Sequence, residues 1–325
     1  MKKNCLALLA GGLSAILLPL FLGGCAEPAK PEGKVLVTTF PIYQFTRNVA
    51  QGRDGLKLKL MLPANLGCPH DYAPTPQDLN LLGQAELLVK NGLDMEAFLD
   101  RAIARVNPEL KVVDTSSGIA ALPATGFHDH GHGHNHDHGH GHGHDHHHGD
   151  FNPHLFASPR HAAEIVANIA DALAEFDPAG ARLYRANAAE YSERLHALAD
   201  EFEQLGSALS HRKIVVQHDV FDYFAAAMGL DIVALVHPHP GQEPSAHEAM
   251  RIIEAIRQEG AVALFVEPQY SDRTARMIAA EAGIRIAALD PVANGPVDAP
   301  LDYYEQTMRK NLRIIRETLA AEPAE

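Results

Sequence analysis

Apolar positions along the 325-residue chain switch between two periods. Val35-Leu36-Val37-Thr38-Thr39 is a β-branched strand candidate, and Leu56 to Leu62 alternates with lysine at the period of a second strand. Glu86 to Lys90 and Lys111 to Val113 are further short apolar runs. Thr75-Pro76-Gln77-Asp78 reads as a helix start, with Thr as N-cap, Pro at the first position and an acidic residue three later. Ser158-Pro159 opens another helix, and Asp177-Pro178 should end it because proline cannot continue the hydrogen-bond ladder. From about Ala179 to Leu209 the apolar residues Leu183, Tyr184, Ala188, Tyr191, Leu195, Leu198, Phe202 and Leu205 recur at helical spacing, with charges between them. Such a helix would span roughly 45 Å, long for one domain and suited to bridging two.

The strand signals return at Lys213 to Gln217, Ala261 to Val266 and Ile284 to Leu289, and Ser245-Ala246-His247-Glu248 is a capping box for a helix to about Gln258. Alternating strands and helices predict an α/β protein: two lobes with mostly parallel sheets, at 34–178 and 210–325, joined by one rigid helix at 179–209.

The N-terminus changes the picture of where the protein works. Lys2 and Lys3 precede an apolar run from Leu6 to Leu22, closed by Gly23-Gly24-Cys25 and a polar stretch to Gly33. The run is glycine-interrupted and marginal in length for a membrane span. It resembles the lipobox of bacterial lipoproteins, which implies a signal peptide at 1–24, lipidation of Cys25 and a tether at 25–33. Export and anchoring in the periplasm or at the cell surface follow. With Cys5 removed and Cys25 blocked, Cys68 is the single free thiol, so no intrachain disulfide is possible.

Residues 128–148 hold twelve histidines among Gly, Asp and one Asn, without an aliphatic or aromatic side chain. Such a stretch cannot bury enough apolar surface to offset the entropy of ordering it, so a solvated loop is expected. Imidazole is a good ligand for zinc, copper and nickel. The loop is expected to bind metal, more weakly than a pre-organised site would. Beyond residue 24 the chain carries 25 basic against 41 acidic residues, which argues against nucleic acid or an anionic membrane surface as partner. Tryptophan is absent, so a large aromatic pocket for sugars is not expected.

Three histidines outside the loop stand at turns. His70 lies between a strand and the capped helix, His154 just before the helix at Ser158, and His218 directly after the strand ending at Gln217. Asp290 follows the strand ending at Leu289. Ligands of open α/β sheets bind beyond the carboxyl ends of strands, so the four could converge on one cleft. Three imidazoles and a carboxylate suit tetrahedral zinc. Taken singly, each is more readily a capping or turn residue than a ligand, and spacings of 64 to 84 residues form no local metal motif. The His237-Pro238-His239-Pro240 run reads as a turn in preference to a secondary metal site.

Taken together, the segments resemble the zinc/manganese cluster of solute-binding proteins of bacterial ABC transporters, over nearly the whole chain after the leader. Pro69-His70-Asp71-Tyr72-Ala73-Pro74-Thr75-Pro76 looks like the first ligand motif. Asn152-Pro153-His154-Leu155-Phe156 looks like the second, and His218-Asp219-Val220-Phe221-Asp222-Tyr223-Phe224 like the third. Glu267-Pro268-Gln269 and Leu289-Asp290-Pro291 are similar to late family segments.

The resemblance implies metal held in an interlobe cleft by His70, His154 and His218, with Asp290 as carboxylate; water and Cys68 stay open as fourth ligand. Manganese-importing relatives usually have Glu where this chain has His218, so His218 and the His-rich loop favour zinc over manganese. Iron and nickel are further candidate metals for the same fold. The implied function is an extracytoplasmic receptor, a monomer, delivering Zn²⁺ to a membrane permease driven by a separate ATPase. The rivals are a zinc-buffering lipoprotein without a transporter and a zinc hydrolase, although no H-E-x-x-H motif is present and no general-base Glu stands next to a ligand in sequence. Two departures stand out: Asn152 replaces the usual Asp, and Cys68 lies two before His70.

Overall fold

The computed structural model of the chain describes residues 33–67, 69, 72–124, 150–237 and 243–320. The first lobe runs β1 (Gly33–Val37), α1 (Phe40–Ala50), β2 (Leu56–Leu60), α2 (Pro76–Gln84), β3 (Leu87–Lys90), α3 (Asp100–Val106), β4 (Lys111–Asp114) and α4 (Pro159–Phe176). The long helix α5 (Ala181–Ala208) follows. The second lobe is β5 (Lys213–Val216), α6 (Asp222–Met228), β6 (Asp231–Leu235), α7 (Ala246–Glu259), β7 (Ala263–Val266), α8 (Arg273–Ala282), β8 (Arg285–Ala288) and α9 (Tyr303–Ala320). Each lobe has a four-stranded sheet, in the orders β2-β1-β3-β4 and β6-β5-β7-β8, and every pairing is parallel. The two sheets therefore repeat one topology.

Side chains on a strand point alternately to opposite faces, and this divides the core. Val35, Val37, Leu87 and Val89 of the first sheet, with Ile214, Val216, Ala263 and Phe265 of the second, enter one continuous cluster with α1, α4, α5 and α9. Leu36 and Leu88 face a separate core under α2 and α3, while Val215, Leu264 and Val266 face a third under α7 and α8. Strand β2 lies at a sheet edge: Leu56 and Leu58 pack inward while Lys57 and Lys59 are exposed, which discourages pairing with another chain.

Helix α5 buries the stripe Tyr184, Ala188, Tyr191, Leu195, Leu198, Phe202 and Leu205, as its spacing requires; Leu183 is only half-buried. Each large apolar residue of this stripe contributes about 1.5–3 kcal/mol by leaving water. Both expected capping boxes form, Thr75 with Asp78 on α2 and Ser245 with Glu248 on α7. The lobes are also tied directly. Gln44, Arg47 and Asn48 of α1 donate to the carbonyls of Pro300, Ala299 and Leu301 (2.7, 2.6 and 2.9 Å), and Tyr304 donates to Phe156 O at 2.7 Å.

Candidate metal centre

His218 and Glu267 follow β5 and β7, and the Asn152-Pro153-His154 turn is held at the carboxyl end of β3. After β3, Asn91 donates to Pro153 O at 2.8 Å, so the Asn-Pro-His turn is seated on the end of the first sheet. Glu96 fixes that rim from below, accepting from Asn91 N, Gly92 N and Thr38 Oγ1 at 2.8, 3.1 and 2.6 Å. His154 is fully buried. Asn152 Oδ1 accepts both its main-chain N–H (2.9 Å) and its Nδ1–H (2.8 Å), which fixes the tautomer with the lone pair on Nε2. The exchange of Asp for Asn at 152 thus keeps an acceptor on the ring.

His218 follows β5 and is 4% exposed. Its ring lies between two carboxylates: Nε2 is 3.1 Å from Asp219 Oδ1, and Nδ1 is 3.5 Å from Glu267 Oε1. Glu267 has a fully buried side chain and stands at the end of β7, where its Oε2 accepts from Gln269 Nε2 at 2.6 Å. The rings of His154 and His218 lie 5.4 Å apart, and Asp219 Oδ1 is 3.8 Å from His154 Nδ1. His154, His218 and Asp219 can each offer a ligand atom within 4.8 Å of the others.

Four buried atoms here have no hydrogen-bond partner among the described residues: both ring nitrogens of His218, Asp219 Oδ1 and Glu267 Oε1. Buried polar atoms are normally satisfied, and leaving one unmade costs about 1–3 kcal/mol. Buried imidazole and carboxylate atoms left without partners are an arrangement a divalent cation can resolve, and these donor types are those of zinc. Burial disfavours a charged His218 ring, but Glu267, Asp219 and Asp222 together outweigh it and hold its pKa above the ordinary histidine value. The centre attracts positive charge.

A family model described as "ZnuA: Zinc-uptake complex component A periplasmic" matches residues 35–318. The chain belongs to the ZnuA family. It is 31% identical over 332 residues to the high-affinity zinc uptake system protein ZnuA of Brucella suis, covering 94% of this chain and 98% of that protein. It is 29% identical over 315 residues to the zinc-binding lipoprotein AdcA of Streptococcus pneumoniae, covering 94% of this chain but only 60% of AdcA. The chain therefore spans about 60% of the length of its AdcA relatives. Among solved structures, a zinc-bound ZnuA carrying a 138–173 deletion superposes with a TM-score of 0.71 at 27% identity, covering 90% of this chain and 99% of that one.

Within this ZnuA-type architecture the remaining expected residues fall as follows. His70, Cys68, Cys25 and the loop 128–148 lie outside the described residues, as do 238–240 of the His-Pro-His-Pro run. The chain leading to His70 meets the second lobe: Gly295 N donates to Ala64 O at 3.0 Å, and a Cβ on Gly67 would lie 2.6 Å from Tyr270 Oη. Gly67 also has φ +78°, so any side chain there would be strained.

Asp290 is outside the 4.8 Å group. Its Oδ1 accepts from Val292 N (2.8 Å), and Asn311 of α9 grips its main chain on both sides, Oδ1 accepting from Asp290 N at 3.1 Å and Nδ2 donating to Asp290 O at 2.7 Å. Val292 is β-branched at φ 63°, a strained turn costing about 1–3 kcal/mol. Burial, with the Glu267 charge adding to it, raises the Asp290 pKa against the pull of Val292 N–H and Lys310.

Sequence spacing assigned no role to Asp219, Asp222 or Glu267. No Glu stands next to a candidate ligand along the sequence, yet Glu267 stands beside His218 in space, because β7 lies next to β5 in the sheet. A carboxylate directly after a ligand histidine was the one signal available for Asp219.

Proposed function

We propose that this chain is the extracytoplasmic zinc receptor of an ABC importer, capturing Zn²⁺ in the interlobe cleft and passing it to a membrane permease powered by a separate ATPase. The observation that carries the reading is the cluster of buried donors around His218 that lack partners among the described residues. His70, His154 and His218 are the three imidazole ligands of this proposal, and Asp290 closes the shell as zinc binds. Asp290 suits that role because its negative charge is penalised in the free protein by burial and by Glu267, and a cation relieves both. The leader at 1–24, the lipid on Cys25 and the monomeric state belong to the same proposal. A hydrolase reading is disfavoured because the two carboxylates at His218 face its ring nitrogens, where they tune or complete a binding shell.

Chelator competition on protein purified without a tag tests the receptor reading. One Zn²⁺ should bind tightly, and replacing His70, His154 and His218 together by Ala should abolish that phase, because the remaining set is incomplete. A tight phase that survives the triple replacement places the site elsewhere. Detergent partitioning tests the anchor: Cys25→Ala should release the protein from membranes with unchanged zinc affinity, and equal membrane association of both forms sinks the lipoprotein reading.

A further inference from the structure

The Asn152 amide can be oriented without ambiguity. The main-chain N–H of His154 can only donate, so the Asn152 atom 2.9 Å from it is Oδ1. That same oxygen lies 2.8 Å from His154 Nδ1, which must then carry the ring proton. On the other side Nδ2 donates to two acceptors, Asp219 O at 2.9 Å and Asp222 Oδ2 at 3.0 Å. All of this is dry: Asn152 is 0% exposed and Asp222 8%.

We propose that Asn152 and Asp222 form a positioning relay for His154, in which the Asp222 charge acts on the imidazole through the Asn152 amide. The proposal rests on His154 being a zinc ligand. A carboxylate that accepts Nδ1–H directly pins a ligand ring and raises its basicity. Here a neutral amide makes the direct contact, and the charge stands one hydrogen bond further out. Hydrogen bonds in a chain polarise one another, more so where water is excluded, so Asp222 draws on Asn152 Nδ2–H and strengthens Oδ1 as acceptor. The relay also joins the two lobes' ligand segments, since Asp222 opens α6 directly after the His218 turn. Placing Asp at 152 while Asp222 remains would set two carboxylates at the observed 3.0 Å separation, where one must take a proton. The charge can therefore be moved inward only by changing both positions.

Two readouts test the relay: zinc affinity by chelator competition, and the His154 Nδ1–H proton resonance in metal-free, ¹⁵N-histidine-labelled protein, assigned by its loss in His154→Gln. Asp222→Asn, which keeps shape and removes charge, should weaken zinc about tenfold and move that resonance upfield. The exchange N152D/D222N should recover most of the affinity and return the resonance downfield. Asp222→Asn unchanged in both readouts overturns the relay. So does a loss of affinity with the resonance unmoved, which is what a merely structural role gives. An exchange no better than the single change overturns it too. Because the resonance is read without metal, it decides the relay even if the receptor reading fails.

Discussion

His154 and His218, the two described histidines of the proposed site, come from lobes with the same sheet order, yet their rings are held in opposite ways. His154 has a neutral partner that satisfies its Nδ1 and main chain, backed by a charge at one remove. His218 has two carboxylates at its ring and, among the described residues, no hydrogen bond on either nitrogen. The first half is a finished hydrogen-bond network that holds one nitrogen in place. The second is an unfinished one, costly in the free protein, that a divalent cation would complete. A binding site built for capture and release can combine the two: rigidity from one ligand, driving force from the other.

Among the carboxylates, the largest effect should come from Asp290, the one proposed to close the shell. Asp290→Ala is expected to cost at least about a hundredfold in zinc affinity by chelator competition, as an incomplete ligand set does, and Asp219→Ala less. The reverse ranking would make Asp219 the metal's own carboxylate, and full affinity in Asp290→Ala would put water there. Zinc-edge X-ray absorption adds the check on Cys68, since sulfur would appear at about 2.3 Å against about 2.0–2.1 Å for nitrogen and oxygen.

Glu267→Gln sharpens the contrast between the halves, with an expected loss of about ten- to a hundredfold. It should also move the pH profile. His218 is raised above the ordinary imidazole value of about 6.5. A protonated ring cannot ligate, so wild-type affinity should be full above the raised pKa and fall as pH drops through it. That places the loss at higher pH than the fall below about pH 6 expected from an unperturbed histidine. Removing the Glu267 charge lowers the His218 pKa, so the variant should hold its affinity to lower pH. Titrations at a series of pH values decide it, and a profile that does not move breaks the assignment of Glu267 to His218.

Asn152→Ala probes the finished half through stability. It leaves the His154 N–H, its Nδ1–H and two acceptors without their partner, so thermal unfolding of metal-free protein should show a loss of about 2–4 kcal/mol. An unchanged melting temperature would mean that water replaces the amide. The smallest effect on the tight site should come from deleting residues 128–148. Calorimetry should then lose only weaker stoichiometry, because flexible histidines carry an ordering cost that the folded centre does not. Loss of the tight event would make the loop the primary site.

Much of this was legible along the chain. Binary patterning fixes strand and helix because the period of buried positions, two or 3.6, is a local property; the capping boxes at Thr75 and Ser245 and the buried stripe of α5 are read directly from it. The turns that carry His154 and His218 follow from strand ends and prolines. Helices α1, α6, α8 and α9 and strand β6 gave no comparably strong signal, being short, or amphipathic without a distinct cap at their start.

Only the tertiary structure decides which carboxylates stand at the histidines. Glu267 is 49 positions from His218 in the chain and neighbours it because β7 pairs with β5. Asp222 meets Asn152, the partner of His154, across 70 positions. Sheet order and side-chain direction set these contacts. Neither is a property of any local window of sequence, whereas the donor types and the turns that present them are.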